Sequence, residues 1–273
     1  MDKKSEKVRI NKYLASTGLC SRRGADELIA SGKIIVNGTV ATMGMTVDSH
    51  DDIIVDGKKI KGAQKKVYLA FYKPQGIVCT AEKQEENNLM DYIKYPVRVT
   101  YCGRLDRDSE GLLLLSNDGD FIQNLMRGAN AHEREYLVRV EKKATDEFLE
   151  GLSNGVYLEE LHTTTRRCKV RRISDTTFTI TLTQGLNRQI RRMCRAFDYH
   201  VRFLKRVRIE NIQLGDMEPG SYRELTDEEL SELKSRVFGS NLTGSQQDSR
   251  VNRFNGSAKG NSNKGHRRRT EDK

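Results

Sequence analysis

Gly103-Arg104-Leu105-Asp106-Arg107-Asp108-Ser109-Glu110-Gly111-Leu112-Leu113-Leu114-Leu115-Ser116-Asn117-Asp118-Gly119-Asp120 sets an arginine, a cluster of acids and two glycine hinges against a short apolar run. Leu112 to Leu115 is too short to span a membrane and has the length of a buried strand. Such a strand is fixed in a core, and the polar residues just before it are then displayed on a loop at the mouth of that core, where a scaffold commonly carries working side chains. Asp106 is therefore read as a catalytic carboxylate. Asp108 and Asp118 read as turn or cap residues.

The surrounding composition narrows the class. At 273 residues and 36% hydrophobic content, the chain can hold two domains and a tail. It has neither the apolar segment of a secretory signal nor a membrane-spanning run, so a cytoplasmic location and no membrane partner are expected. Five cysteines (Cys20, Cys79, Cys102, Cys168, Cys194) lie far apart with no C-x-x-C pair, and the histidines are scattered, so no metal site is expected. The formal charge is +10, and residues 239 to 273 carry eight Lys/Arg against three Asp/Glu, half of that excess. A basic chain of this kind points to a polyanion, with nucleic acid the first candidate.

Upstream, Val8, Ile10, Tyr13 and Leu14 recur at helical spacing, and Ser21 caps a second helix that Gly32 stops. Ile34 to Val40 reads as two strands about Asn37-Gly38, and 52 to 60 repeats the device about Asp56-Gly57. Arg9, Lys12, Arg22, Arg23 and Lys33 concentrate on the helical half. A linker follows at 62 to 66. Val67 to Phe71 reads as a strand ended by a type I or II turn, Lys73-Pro74-Gln75-Gly76, with Pro at its second position, where Lys73 and Pro74 read as turn structure. Val97 to Tyr101 is another strand candidate.

Downstream, 119 to 126 is helical, 135 to 140 alternates as a half-buried strand and 144 to 152 returns to helical spacing. Residues 163 to 173 and 176 to 183 read as paired strands. Asn187 is the expected cap of a basic helix carrying Arg188, Arg191, Arg192 and Arg195. Strands at 201 to 209 and 212 to 214 precede a last helix, 226 to 238, opened by the capping box Thr226-x-x-Glu229. From Gly239 the polar, basic composition predicts a disordered tail that adds non-specific RNA affinity.

No phosphate loop, dinucleotide fingerprint or Ser-His-Asp signature accompanies the Asp106 cluster, which leaves carboxylate chemistry beside a basic surface. Arg9 to Ala15, Cys20 to Ala25 and Gly32 to Gly38 resemble the S4 RNA-binding domain. Gly103-Arg104-Leu105-Asp106-x-x-Ser109-x-Gly111-Leu112-Leu113, with Lys73-Pro74-x-Gly76, Glu135-Tyr136-Leu137-Val138 and Asn187-Arg188-Gln189-Ile190-Arg191-Arg192-Met193 in order, resembles the RsuA/RluB/E/F family of pseudouridine synthases. Within it, the run Tyr101 to Asp120, His132 to Tyr136 and Gln184 to Asn187 is most similar to the branch of large-subunit rRNA synthase F.

The resemblance implies that uracil of one uridine in RNA is detached from C1′ of its ribose, turned and rejoined through C5, with no cofactor. It maps the family's essential aspartate onto Asp106, acting either as nucleophile toward the sugar or as the base that removes a sugar proton. Arg191 would keep that carboxylate ionised, Tyr136 would stack on the target base, and Arg104 would fill the space left by the flipped uridine. Asn187, Arg188, Gln189 and Arg192 join the basic residues of the helical half as RNA contacts.

The expected architecture is α+β: an S4-like RNA-binding module over 1 to 62, then a catalytic domain over 63 to 238 with a mixed, largely antiparallel sheet flanked by helices, and a tail over 239 to 273. The expected partner is 23S rRNA, with tRNA open as a second substrate, and the expected state is a monomer. A non-catalytic S4-type ribosome-assembly factor and a nucleoside hydrolase are the competing readings.

Overall fold

The computed structural model describes residues 7 to 251 apart from Lys83. The N-terminal module runs β1 (Val8–Arg9), α1 (Ile10–Ser16), α2 (Arg22–Ala30), β2 (Ile34–Val36), β3 (Thr39–Val40), β4 (Thr46–Val47), β5 (Ile53–Val55) and β6 (Lys58–Lys59). Ser21 caps α2 by accepting from the Gly24 amide at 3.0 Å. Asn37 and Asp56 both take the left-handed backbone, each followed by a glycine that does the same, as two-residue hairpins that match strand twist require. Ile10 and Leu14 of α1, Ala25 and Ile29 of α2, and Ile34, Val47 and Ile53 bury against one another as the module's core.

The rest of the chain follows the order β7 (Tyr68–Lys73), α3 (Leu89–Tyr92), β8 (Thr100–Cys102), β9 (Glu110–Ser116), α4 (Gly119–Met126), β10 (Arg134–Val140), α5 (Asp146–Asn154), β11 (Tyr157–Leu158), β12 (Thr163–Thr164), β13 (Lys169–Arg172), β14 (Thr177–Leu182), α6 (Gln189–Arg195), β15 (Val201–Ile209), β16 (Ile212–Gln213), β17 (Tyr222–Glu224) and α7 (Asp227–Val251). Nine of these strands form one sheet, ordered β13-β14-β10-β15-β9-β7-β17, with β16 on β15 and β8 on β9. Its named pairs are antiparallel except β15 with β9, which run parallel. The sheet is mixed and largely antiparallel, as expected.

Burial explains why β9 is a continuous apolar run. Leu112 and Leu114 pack under Phe121 and Leu125 of α4 and Leu233 and Val237 of α7. Leu113 and Leu115 turn to the opposite face, against Leu69, Phe71, Leu89 and Leu105. A strand covered on both faces has no polar side to alternate with, and each buried leucine contributes about 2 kcal/mol. On the other half of the sheet, α5 and α6 cover Val138, Phe178, Ile180 and Leu204.

Two expectations are corrected and one is narrowed. Residues 163 to 173 are not one strand: β12 pairs with β11, β13 pairs with β14, and the chain between them is irregular. The helix opened by the Thr226/Glu229 box, whose two reciprocal bonds are 3.0 and 3.2 Å, runs on to Val251 and so past the expected boundary at Phe238. The remainder of the expected tail lies outside the described residues. The turn after β7 leaves Gln75 without positive φ and gives that conformation to Gly76, which excludes the type II alternative.

Gly111 is the tightest point of the sheet. Its φ is +110°, and a Cβ there would lie 2.3 Å from the Arg206 carbonyl oxygen. Gly111→Ala should therefore cost about 3 kcal/mol through strain and displaced backbone, read as a lower denaturation midpoint, while Gly128→Ala, with open space at its Cβ, should shift stability by less than about 0.5 kcal/mol.

Candidate active site

Asp106 stands on the loop between β8 and β9, and the loop is pinned on both sides of it. Leu105 is buried with Phe71 and Leu113, and its amide donates to Cys79 Sγ at 3.5 Å. On the far side the Arg107 carbonyl accepts from the Gly76 amide at 2.8 Å, and the Ser109 amide donates to the Asp106 carbonyl at 3.1 Å. Between these anchors the Asp106 carboxylate keeps 34% of its surface open to solvent.

Lys73 lies beneath the loop. Its side chain is fully buried, and Nζ donates to the Pro74 carbonyl at 2.9 Å and the Ser109 carbonyl at 2.8 Å. Burial pushes the ammonium below the ordinary lysine range, while Cys79, Asp106 and Asp108 act in the opposite direction. Beside it, Arg206 is 2% exposed and its Nε donates to the Leu112 carbonyl at 2.7 Å.

The cations of α6 face the loop from the other side. Arg188 lies 3.6 Å from the Asp106 carboxylate and makes two bonds to that of Asp108, at 3.3 and 3.0 Å. Arg191 donates to the Asp108 carbonyl at 3.1 Å and Ser109 Oγ at 3.3 Å, and approaches the Asp108 carboxylate at 3.2 Å. Burial opposes ionisation of Asp108, but hydrogen bonding from Arg188 and the charge of Arg191 prevail and hold it below the ordinary carboxylate range. The nearer cation to Asp106 is thus Arg188, whereas Arg191 secures the loop through Asp108 and Ser109. Asp108 is a member of this ion cluster and more than a turn residue.

Other site expectations divide. Tyr136 is half-buried on β10 and packs against both the cluster containing Leu105 and the one under α6, so it borders the Asp106 loop. Arg104 is exposed at the loop's start with no ion pair among the described residues. Asn187 does not cap α6. Arg188 takes the N-cap position with φ 50°, and Asn187 instead accepts from Arg192 through its carbonyl at 3.0 Å and Oδ1 at 3.3 Å. Gln189, expected to face RNA, is turned inward at 4% exposure, where its Oε1 accepts from the Leu186 amide at 3.1 Å. Arg192 is also paired with Glu160.

In the N-terminal module, Arg9, Arg22 and Arg23 are exposed without a carboxylate partner among the described residues. Lys12 is paired with Asp120 at 2.7 Å and Lys33 with Asp56 at 3.6 Å. Sequence reasoning missed Lys73 and Arg206 as builders of the site. A parity signal existed for Arg206, which shares the inward face of β15 with Leu204, while a lysine beside proline at a strand's end gives no sign of burial.

Comparison with known proteins agrees with this arrangement. The model of the RNA pseudouridylate synthase family matches residues 67 to 196, and the S4 domain model matches residues 8 to 54. The dual-specificity RNA pseudouridine synthase RluF of Escherichia coli K12 is 46% identical over 228 residues, which cover 83% of this chain and 78% of that protein. This chain belongs to the RNA pseudouridine synthase family. The ribosomal large subunit pseudouridine synthase B of Bacillus subtilis 168 is 36% identical over 234 residues, covering 83% of this chain and 96% of that protein. A solved pseudouridylate synthase superposes with TM-score 0.62 at 26% identity, covering 83% of this chain and 99% of that one. The synthase is accordingly an S4 domain followed by a pseudouridine synthase domain, and an isomerase that acts on RNA.

Lys73→Met leaves the Ser109 and Pro74 carbonyls without their donor and should cost about 2 to 4 kcal/mol. Its pH dependence identifies the cause. Because the folded pKa is lowered, the unfolded chain binds the proton that the folded chain has shed, so wild-type stability gains a rising component between that lowered pKa and about 10.4. Denaturation curves at alkaline pH should show this rise in the wild type and its loss in the variant.

Proposed function

We propose that the synthase isomerises a uridine of large-subunit ribosomal RNA, with Asp106 as the carboxylate that acts on the ribose. The observation that carries this reading is the Asp106 loop itself: an open carboxylate between two anchored backbone segments, faced by Arg188 at 3.6 Å and bordered by the half-buried Tyr136. An extruded uracil needs one flat apolar surface to lie on and one group that reaches its sugar; Tyr136 supplies the first from β10 and Asp106 the second from the loop before β9. Arg104, exposed and without an ion pair among the described residues, has the reach to occupy the gap left in the RNA helix, where unstacking costs a few kcal/mol.

Arg188 faces the Asp106 carboxylate at 3.6 Å, and Arg191 holds the loop that carries it. The preference for large-subunit rRNA is supported by the name of the Bacillus subtilis relative, and tRNA is the second substrate to assay. In this proposal the protein acts as a monomer and its chemistry needs no cofactor. A cytoplasmic location follows from an rRNA substrate. The non-catalytic assembly-factor reading is not favoured, since the chain carries both the synthase motifs and the loop that presents Asp106.

RNA tritiated at uracil C5 tests the reading, since rejoining through C5 expels that hydrogen. Wild-type protein should release tritium from 23S rRNA, and Asp106→Asn should lower release by at least about a thousandfold while RNA binding persists. Binding without release by the wild type would sink the enzyme assignment, and free uracil would show a hydrolase. Arg191→Ala should reduce kcat more than RNA affinity; an equal loss in both would make it a phosphate contact.

A further inference from the structure

The N-terminal module meets the catalytic domain around a cavity of about 330 Å³ that takes no part in the chemistry above. Four cations line it: Lys12 and Arg22 from the module, Lys66 from the linker and Arg98 from the catalytic domain. Two carboxylates answer them. Asp118 accepts from Lys66 at 2.8 Å, and Asp120 from Lys12 at 2.7 Å. Arg22 and Arg98 have no carboxylate partner among the described residues, yet Arg98 Nη1 donates to the Cys20 carbonyl at 3.2 Å, which brings its guanidinium to the start of α2 beside Arg22.

The positive ends of two helices, α2 and α4, lie at the same cavity and add to its potential, since Ser21, Arg22, Asp118 and Gly119 all line it. A Cβ at Gly119 would meet nothing within 4 Å, so there is open space beside the first residue of α4, although Asp118 already accepts from the Phe121 amide at 3.3 Å.

We propose that this seam binds one backbone phosphate of the RNA substrate, held by Arg22 and Arg98, and that Lys12 leaves Asp120 to join them. Two planar guanidinium groups with free donors suit a phosphate's oxygens. The Lys12 to Asp120 pair is exposed on both sides, 41% and 53%, and such pairs contribute little, so a phosphate can displace the carboxylate. The seam keeps its form without that pair, because the Gln64 amide donates to the Ser16 carbonyl at 3.0 Å and Asn117 Nδ2 to the Lys65 carbonyl at 2.9 Å. A phosphate here would be gripped by both domains at once and would set the RNA's position relative to the Asp106 loop. The inference rests on the RNA-modifying activity proposed above.

The sign of one substitution separates this site from a merely adhesive seam. In the full-length protein, Asp120→Asn removes a competing charge and frees Lys12, so KM for a long rRNA fragment should fall and its salt dependence should steepen. Adhesion alone predicts that KM rises. Arg98→Ala should raise KM about tenfold, as the loss of a charge-assisted hydrogen bond does, and flatten the salt slope by about one, with Arg98→Lys restoring the slope. An Asp120→Asn variant that behaves like Arg98→Ala, or an Arg98→Ala variant with unaltered slope, would overturn the proposal. Side-chain NMR signals of Arg22 and Arg98 should shift with RNA; a shift with inorganic phosphate alone would mark a free-anion site and overturn it too. Wild-type protein that turns over no RNA would fail the activity reading instead.

Discussion

The Ser109 carbonyl accepts its hydrogen bond from an ammonium that water does not reach, and the place of Asp106 depends on that bond. Lys73 ends β7 opposite Gly111 of β9, so its side chain emerges where the loop enters the strand. An ammonium in such a position is costly unless its donors are used and anions lie near. Both conditions are met by the loop: two carbonyls accept, and Asp106 and Asp108 supply negative charge. The dependence runs both ways, since a loop that moved away would strand a buried charge.

The same logic extends across β9. Gly111 admits the Arg206 backbone at a distance no side chain tolerates, and Arg206 then reaches the Leu112 carbonyl. These contacts lock β15 to β9 in parallel register, and β15 is the strand that follows α6. Ile190, Met193 and Cys194 bury one side of α6, so its arginines are carried on a helix that cannot rotate. Arg188 and Arg191 therefore meet the Asp106 loop at fixed distances. Preorganised charge of this kind requires no rearrangement when the substrate arrives.

Much of this was legible from the chain. The run Leu112 to Leu115, the Asn37-Gly38 and Asp56-Gly57 turns, the Ser21 cap and the Thr226/Glu229 box each carry local chemistry that dictates a local form, and the structure follows them. What was not legible depends on partners distant in sequence. Asn187 was expected as a cap because its residue type favours that role, but Arg192 claims its oxygens and Gln189 satisfies the Leu186 amide. Residues 163 to 173 looked like one strand, because nothing in their sequence says that β12 has its partner in β11 and β13 in β14. The assignment of Arg191 to Asp106 came from motif correspondence, and only three-dimensional geometry distinguishes it from Arg188, one helical turn away.

Charge totals mislead for the same reason. Lys12 and Lys33 count toward a basic N-terminal module, yet both are engaged by carboxylates, while Arg9, Arg22 and Arg23 stay unpaired and exposed among the described residues. Lysine shares a point charge with whichever anion is near, whereas a guanidinium presents a fixed fork suited to phosphate. A few unpaired arginines can grip a polyanion's backbone but cannot name a base. On the proposed reading, choice of uridine lies in the RNA's shape and in the cost of extruding a particular base toward Tyr136.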